Sequence, residues 1–145
     1  MENNINEFIE AIDNSNKVLS ETLLHRINKE KALNVAGYKG NLKVVKYLIN
    51  NGVTVNANNS WALVSASEEG HLDIVKYLVE KGANIHAQDN YALRWASLRG
   101  YLKIVKYLVD KGANIYARNN YSLRYASKNG HSEIVKYLES VIKER

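Results

Sequence analysis

Residues 91–112 read YALRWASLRGYLKIVKYLVDKG, and this pattern returns every 30 residues. It aligns with WALVSASEEGHLDIVKYLVEKG at 61–82, with YSLRYASKNGHSEIVKYL at 121–138 and with KALNVAGYKGNLKVVKYLINNG at 31–52. Segments 61–90 and 91–120 share 19 of 30 residues without a gap. A fixed period of about 20–50 residues is the signature of a stacked array, in which each unit buries its apolar face against its neighbours.

Each repeat predicts two short helices. In the first, Leu93 and Ala96 lie at i and i+3 on one face. Leu33, Leu63 and Leu123 match the leucine, and Ala36, Ala66 and Ala126 match the alanine. The small residue allows neighbouring helices to approach closely. Ser60, Asn90 and Asn120 precede these helices and are expected to cap their N-termini. Gly40, Gly70, Gly100 and Gly130 are expected to end them in the left-handed conformation. The second helix, with Leu102, Ile104, Val105, Leu108 and Val109, is apolar on most of its circumference and suits a position between neighbours. The link after it, as at 113–120, is expected to be a short extended crossing.

Residues 1–29 fall outside this register. Apolar stripes at 3–12 and 17–28 predict two helices that cap the array, since an open end would otherwise expose its apolar face. The repeats then run over about 30–61, 62–91, 92–121 and 122–145. The last reads ESVIKER after Leu138, with charge where the others are apolar and no glycine stop. It is expected to be a solvent-facing C-terminal cap and a natural end of the array.

There is no cysteine, which removes disulfide, cysteine-zinc and thiol chemistry. No apolar run approaches the ~20 residues of a membrane span. The opening MENNINEFIEAID lacks the basic start and apolar core of a secretory signal. An intracellular, cytoplasmic protein is expected. The net charge of +5 alternates along the chain: −3 over 1–30, +4 over 31–60, −3 over 61–90, +5 over 91–120 and +2 over 121–145.

The repeats resemble the ankyrin family. The resemblance rests on Leu-x-x-Ala in the first helix, Gly70-His71 and Gly130-His131, and Ile-Val-Lys-Tyr-Leu in the second helix. Gly-Ala-Asn-Ile at 82–85 and 112–115 completes it. It implies an all-α solenoid of stacked helix-turn-helix units, with a partner protein held on its concave face. Two departures qualify it. The usual period is about 33 residues, and the Thr-Pro-Leu-His opening is replaced by Trp61-Ala62-Leu63-Val64 and its equivalents. The β-hairpin fingers are therefore expected to be short or absent. Such 30-residue repeats are similar to those of large DNA viruses of amoebae, which would make the partner a host protein. Larger viral ankyrin proteins often carry a C-terminal module that recruits a ubiquitin ligase. No room for one is read after Leu138, so that activity is not expected.

Nothing in the chain reads as catalytic. His71 and His131 lie two repeats apart, too far to share a metal, and read as turn histidines bonding backbone. His25 and His86 have no ligand-type neighbours, and Glu68 and Glu69 are adjacent and diverge on a helix. No phosphate loop or activated nucleophile is present, so no enzyme activity, cofactor or metal is expected. Two strips of surface are the better candidates. One is Trp61, Tyr91 and Tyr121, with Trp95 and Tyr125 one turn on; it is either inter-repeat packing or partner contact. The other is the helix end: Tyr38 and Lys39, Glu68 and Glu69, Leu98 and Arg99, Lys128 and Asn129. Leu98 replaces a charge and has no evident core to join. Tyr47, Tyr77, Tyr107 and Tyr137 never vary and read as scaffold, ring buried and hydroxyl at the surface.

The resulting expectation is a monomeric, non-enzymatic adaptor for another protein, with charge alternation setting register. Nucleic-acid binding ranks second. It would use Arg94, Arg99, Lys103, Lys106, Arg118, Arg124 and Lys128, but these fall on different helix faces and no recognised motif accompanies them. Self-association through the end repeats ranks third.

Overall fold

A computed structural model describes residues 2–145. Among the described residues every regular element is helical. The chain opens with α1 (Glu2–Asp13) and α2 (Lys17–Leu24). Four helix pairs follow: α3 (Lys29–Lys39) with α4 (Leu42–Asn50), α5 (Ala57–Glu69) with α6 (Leu72–Glu80), α7 (Ala87–Arg99) with α8 (Leu102–Asp110), and α9 (Ala117–Lys128) with α10 (Ser132–Glu144). Helices α3, α5, α7 and α9 pack side by side as an inner row, and α4, α6, α8 and α10 form an outer row behind them. Helix α1 packs on α2 and α4. The sequence-based expectation of a helical solenoid holds, and no strand occupies the finger region.

The repeat pattern explains the two rows. Leu33, Leu63 and Leu93, with Ala36, Ala66, Ala96 and Ala126, are buried between inner helices. Val44, Ile74, Ile104 and Ile134 do the same for the outer row, backed by Leu48, Leu78, Leu108 and Leu138. Full burial of one such side chain contributes about 1.5–3 kcal/mol. Two inner helices meet closely at Gly37, where an added Cβ would lie 2.8 Å from the Ala62 carbonyl oxygen. Serine occupies the equivalent position in the other repeats, at Ser67, Ser97 and Ser127. Gly37→Ser would make the first repeat look more regular, yet it is expected to destabilise the protein by about 1–3 kcal/mol through overpacking. Urea denaturation would register this as a lower midpoint at unchanged slope.

The turn between paired helices also joins successive repeats. Gly70 sits at φ +84, and an added Cβ there would lie 2.6 Å from the Tyr101 ring of the next repeat. His71 and His131 lie in the same way against Gly40 and Gly100. Each ring Nε2 also reaches back to a backbone carbonyl of the preceding repeat, at 3.0 Å from Tyr38 O and 2.8 Å from Leu98 O. The turn-histidine reading is correct.

The links correct two expectations. Residues 58–60, 88–90 and 118–120 are not extended. Each forms one left-handed helical turn, with φ between +51 and +60, before the right-handed helix begins. Left-handed helix costs roughly 1–2 kcal/mol per residue for L-amino acids. The segments Asn-Asn-Ser, Gln-Asp-Asn and Arg-Asn-Asn are rich in the residues that bear it best. Ser60 and Asn90 are accordingly not N-caps of their own helices. The Asn90 Oδ1 accepts from the Asn114 backbone N–H at 2.8 Å, one repeat on. Asn56 Oδ1 and Ser60 Oγ accept from Asn84 N–H at 2.8 and 3.2 Å. These polar side chains fasten one link to the next.

Candidate functional site

The aromatic strip runs along the inner row where its right-handed helices begin. Trp61 and Tyr91 lie 6.1 Å apart, centroid to centroid. Tyr91 stacks on Trp95 at 5.4 Å, and Tyr121 stacks on Tyr125 at 4.0 Å. The Arg94 guanidinium fills the space between Tyr91 and Tyr121, 5.0 Å from each ring. It also donates from Nε to Asp89 O at 3.0 Å and from Nη2 to Gln88 O at 2.9 Å. Arginine's planar fork suits this double role of stacking and bidentate donation. Arg94 is thereby buried and clamps the left-handed turn. Arg124 makes the same contacts to Asn119 O and Arg118 O at 2.8 and 3.3 Å, from a more exposed position. In the third and fourth repeats the rings therefore stack within each helix, the Arg94 guanidinium bridges the two repeats, and the rings stay half-exposed.

The basic cluster is largely committed within the molecule. Arg94 and Arg124 hold carbonyls, and Arg118 pairs with Asp89 at 2.9 Å. Arg99 bonds Glu68 at 3.1 Å across two repeats. A shallow depression of about 550 Å³ lies among Arg94, Arg118, Arg124, Tyr121 and Tyr125, but its guanidinium groups already have acceptors.

The helix-end strip is divided in the same way. Lys128 lies over the Tyr125 ring at 5.6 Å, and Asn129 Nδ2 donates to Leu98 O at 3.3 Å. Leu98 is half-buried, and Glu69 remains partly exposed. Tyr38 and Lys39 are different. They join Trp61 in a groove of about 530 Å³ at the N-terminal end of the inner row. Tyr38 is 58% exposed and Trp61 38%, the most exposed aromatic residues of the inner helices. Sequence reasoning missed the rest of this groove. Its floor is Ile5 and Val35, and Asn6, Asn34, Lys31 and Ser65 complete it. Lys39 Nζ donates to Asn6 Oδ1 at 3.1 Å across its rim. A signal was present: Lys31 stands where later repeats have Trp61, Tyr91 and Tyr121, and Ser65 stands where they have Trp95 and Tyr125. The groove is open because rings are missing from those two positions.

A model of ankyrin repeats in three copies matches residues 2–89, taking in α1 and α2, and a model of ankyrin repeats in many copies matches 93–139. The chain belongs to the ankyrin-repeat family. A search of curated proteins gave no match. Ankyrin repeats generally mediate protein–protein interaction and are typically non-enzymatic. Among the described residues of this ankyrin array, no helix is long and apolar enough to cross a membrane. No group of three or more metal-ligating side chains converges among them either.

The outer row of the ankyrin array carries a second periodic feature. Lys46, Lys76 and Lys106 lie over Tyr77, Tyr107 and Tyr137 of the next repeat, at 5.6, 5.8 and 5.6 Å. The invariant tyrosines are thus scaffold. Tyr107 departs from expectation, since its hydroxyl is buried and has no hydrogen-bond partner. Burial pushes the Tyr91, Tyr107, Tyr121 and Tyr137 phenols above the ordinary tyrosine range. The folded state therefore holds these protons more tightly than the unfolded chain. The resulting stability is whole below about pH 10 and is lost as the pH climbs through the raised values. Thermal melts followed by circular dichroism are expected to show a falling midpoint above about pH 10.

Proposed function

We propose that this ankyrin array is a non-enzymatic adaptor that holds a partner protein on the face presented by its inner helices. The observation that carries the reading is the groove at Tyr38, Lys39 and Trp61, where exposed aromatic rings line an apolar floor. Aromatic residues dominate interface energies, and exposed ones flanking a concavity are the usual anchors. The remaining candidate positions, from Glu68, Glu69 and Leu98 to Lys128 and Asn129, extend the contact along the same row. Residues 1–29 serve as the N-terminal cap, and residues 30–145 as four repeats closed by α10. The protein acts as a monomer inside the cell. The 30-residue period, similar to that of ankyrin repeats in large DNA viruses of amoebae, makes a host protein the partner.

Nucleic-acid binding is the lesser reading because the guanidinium groups that suggested it are engaged internally. Affinity capture from cell lysate, with and without nuclease, separates the two. Proteins retained through nuclease and lost on Tyr38→Ala/Trp61→Ala support the adaptor. Capture abolished by nuclease overturns it, and a steep fall in binding with added salt would accompany that outcome.

A further inference from the structure

We infer that the groove between the first and second repeats takes an aromatic side chain from an acidic segment of the partner protein. This rests on the adaptor reading and names the chemistry of what is bound. The molecule supplies its own precedent. In the third repeat the Trp95 ring lies on Tyr91 at 5.4 Å, and in the fourth Tyr125 lies on Tyr121 at 4.0 Å. In the second repeat the stacking position is Ser65, so Trp61 lacks the ring that would cover it from its own helix. The first repeat has Val35 there and Lys31 in place of the aromatic residue. Two absent rings leave a volume of about 530 Å³ against the Trp61 face, with Ile5 and Val35 beneath. A partner's Trp, Tyr or Phe would stack on Trp61 as Trp95 stacks on Tyr91, burying apolar area and adding the offset-ring attraction.

The charge of the rim narrows the occupant. Among the described residues, those lining the groove include Lys39 and no carboxylate. Lys39 gives one hydrogen bond to Asn6 and keeps further N–H donors for an incoming carboxylate. Charge complementarity therefore favours Asp or Glu beside the aromatic residue.

The test uses a displayed library of random short peptides selected on the whole chain. Enriched sequences are expected to carry an aromatic residue with Asp or Glu close by. Ser65→Trp should weaken an enriched peptide at least about tenfold, and Lys39→Glu several-fold, because the first fills the stacking position and the second reverses the rim charge. The Ser65→Trp chain should keep its helical circular dichroism and melting, since the equivalent position already holds Trp95 and Tyr125. Tyr121→Ala should leave peptide binding unchanged. Enriched peptides without an aromatic residue, failure to enrich any, or full binding to Ser65→Trp overturns the inference. If such peptides are instead lost on Tyr121→Ala or Arg99→Glu, the inner face still binds protein and only the groove assignment fails. Peptides indifferent to every inner-row variant overturn the adaptor reading as well.

Discussion

Leu93→Ala is expected to destabilise the protein by about 2–5 kcal/mol, the range for removing a buried leucine from a rigid core. Leu93 is fully buried at the middle of the inner row, with repeats on both sides. Its helix is held in place by Gly100 against the His131 ring and by the Asn90 bond to the next link, so the cavity has little freedom to collapse. Leu123, its counterpart in the last repeat, is only half-buried. Leu123→Ala should therefore cost distinctly less, and urea denaturation of the two variants side by side checks the difference. Because each repeat touches only its neighbours, the damage should also be local. Amide hydrogen exchange in Leu93→Ala should rise first in α7–α10, while α3 and α4 stay protected. Equal losses in both leucine variants would mean that the array unfolds as one block whose ends are as well packed as its centre.

The second large effect belongs to Arg94. Arg94→Met keeps the apolar stem but removes the donors to Gln88 O and Asp89 O and the charge between two rings. The left-handed turn at 88–90 then has no clamp from the helix. A cost of about 2–4 kcal/mol is expected, from two weakened carbonyl partners and the lost guanidinium–ring contacts. Arg94→Lys should recover little of it, because a single ammonium cannot reproduce the planar fork. Arg124→Met removes the equivalent bonds from an exposed site, and about 1 kcal/mol or less is expected there. Chemical denaturation gives the ranking, and full recovery by Arg94→Lys would sink the clamp argument.

The features legible in the sequence were those that recur. Four copies of Leu-x-x-Ala, with three of Ile-Val-Lys-Tyr-Leu and a Val-Val-Lys-Tyr-Leu variant at 44–48, specify two helices per repeat, and their burial follows from the pattern. The handedness of the links was not legible. Asn-Asn-Ser, Gln-Asp-Asn and Arg-Asn-Asn are polar in any conformation, and what holds them comes partly from an arginine further along the chain and partly from the next repeat. Arg94 misled for the same reason. As a charge it belonged to a basic stripe, yet its neighbours make it a core residue. The candidate groove was half-visible. Tyr38, Lys39 and Trp61 stood out as side chains, but a cavity depends on what is missing, and Lys31 and Ser65 have meaning only beside the rings of later copies.

The contacts that fasten one link and turn to the next have a consequence for how such a gene can change. Ring, carbonyl and amide partners come from adjacent repeats, each kind at its own spacing: His71 on Tyr38 and His131 on Leu98 at 33 residues, Asn114 on Asn90 at 24. Any in-phase block of one period carries a complete set of plugs and sockets. Excision of residues 91–120 would bring Tyr121 directly after Asn90 and place His131 over Gly70, where Tyr101 now sits. Duplication of the same block would reproduce the Asn90–Asn114 bond at the new junction. The array can lengthen or shorten by unequal crossing-over with its seams intact, leaving side chains such as Lys31 and Ser65 free to diverge.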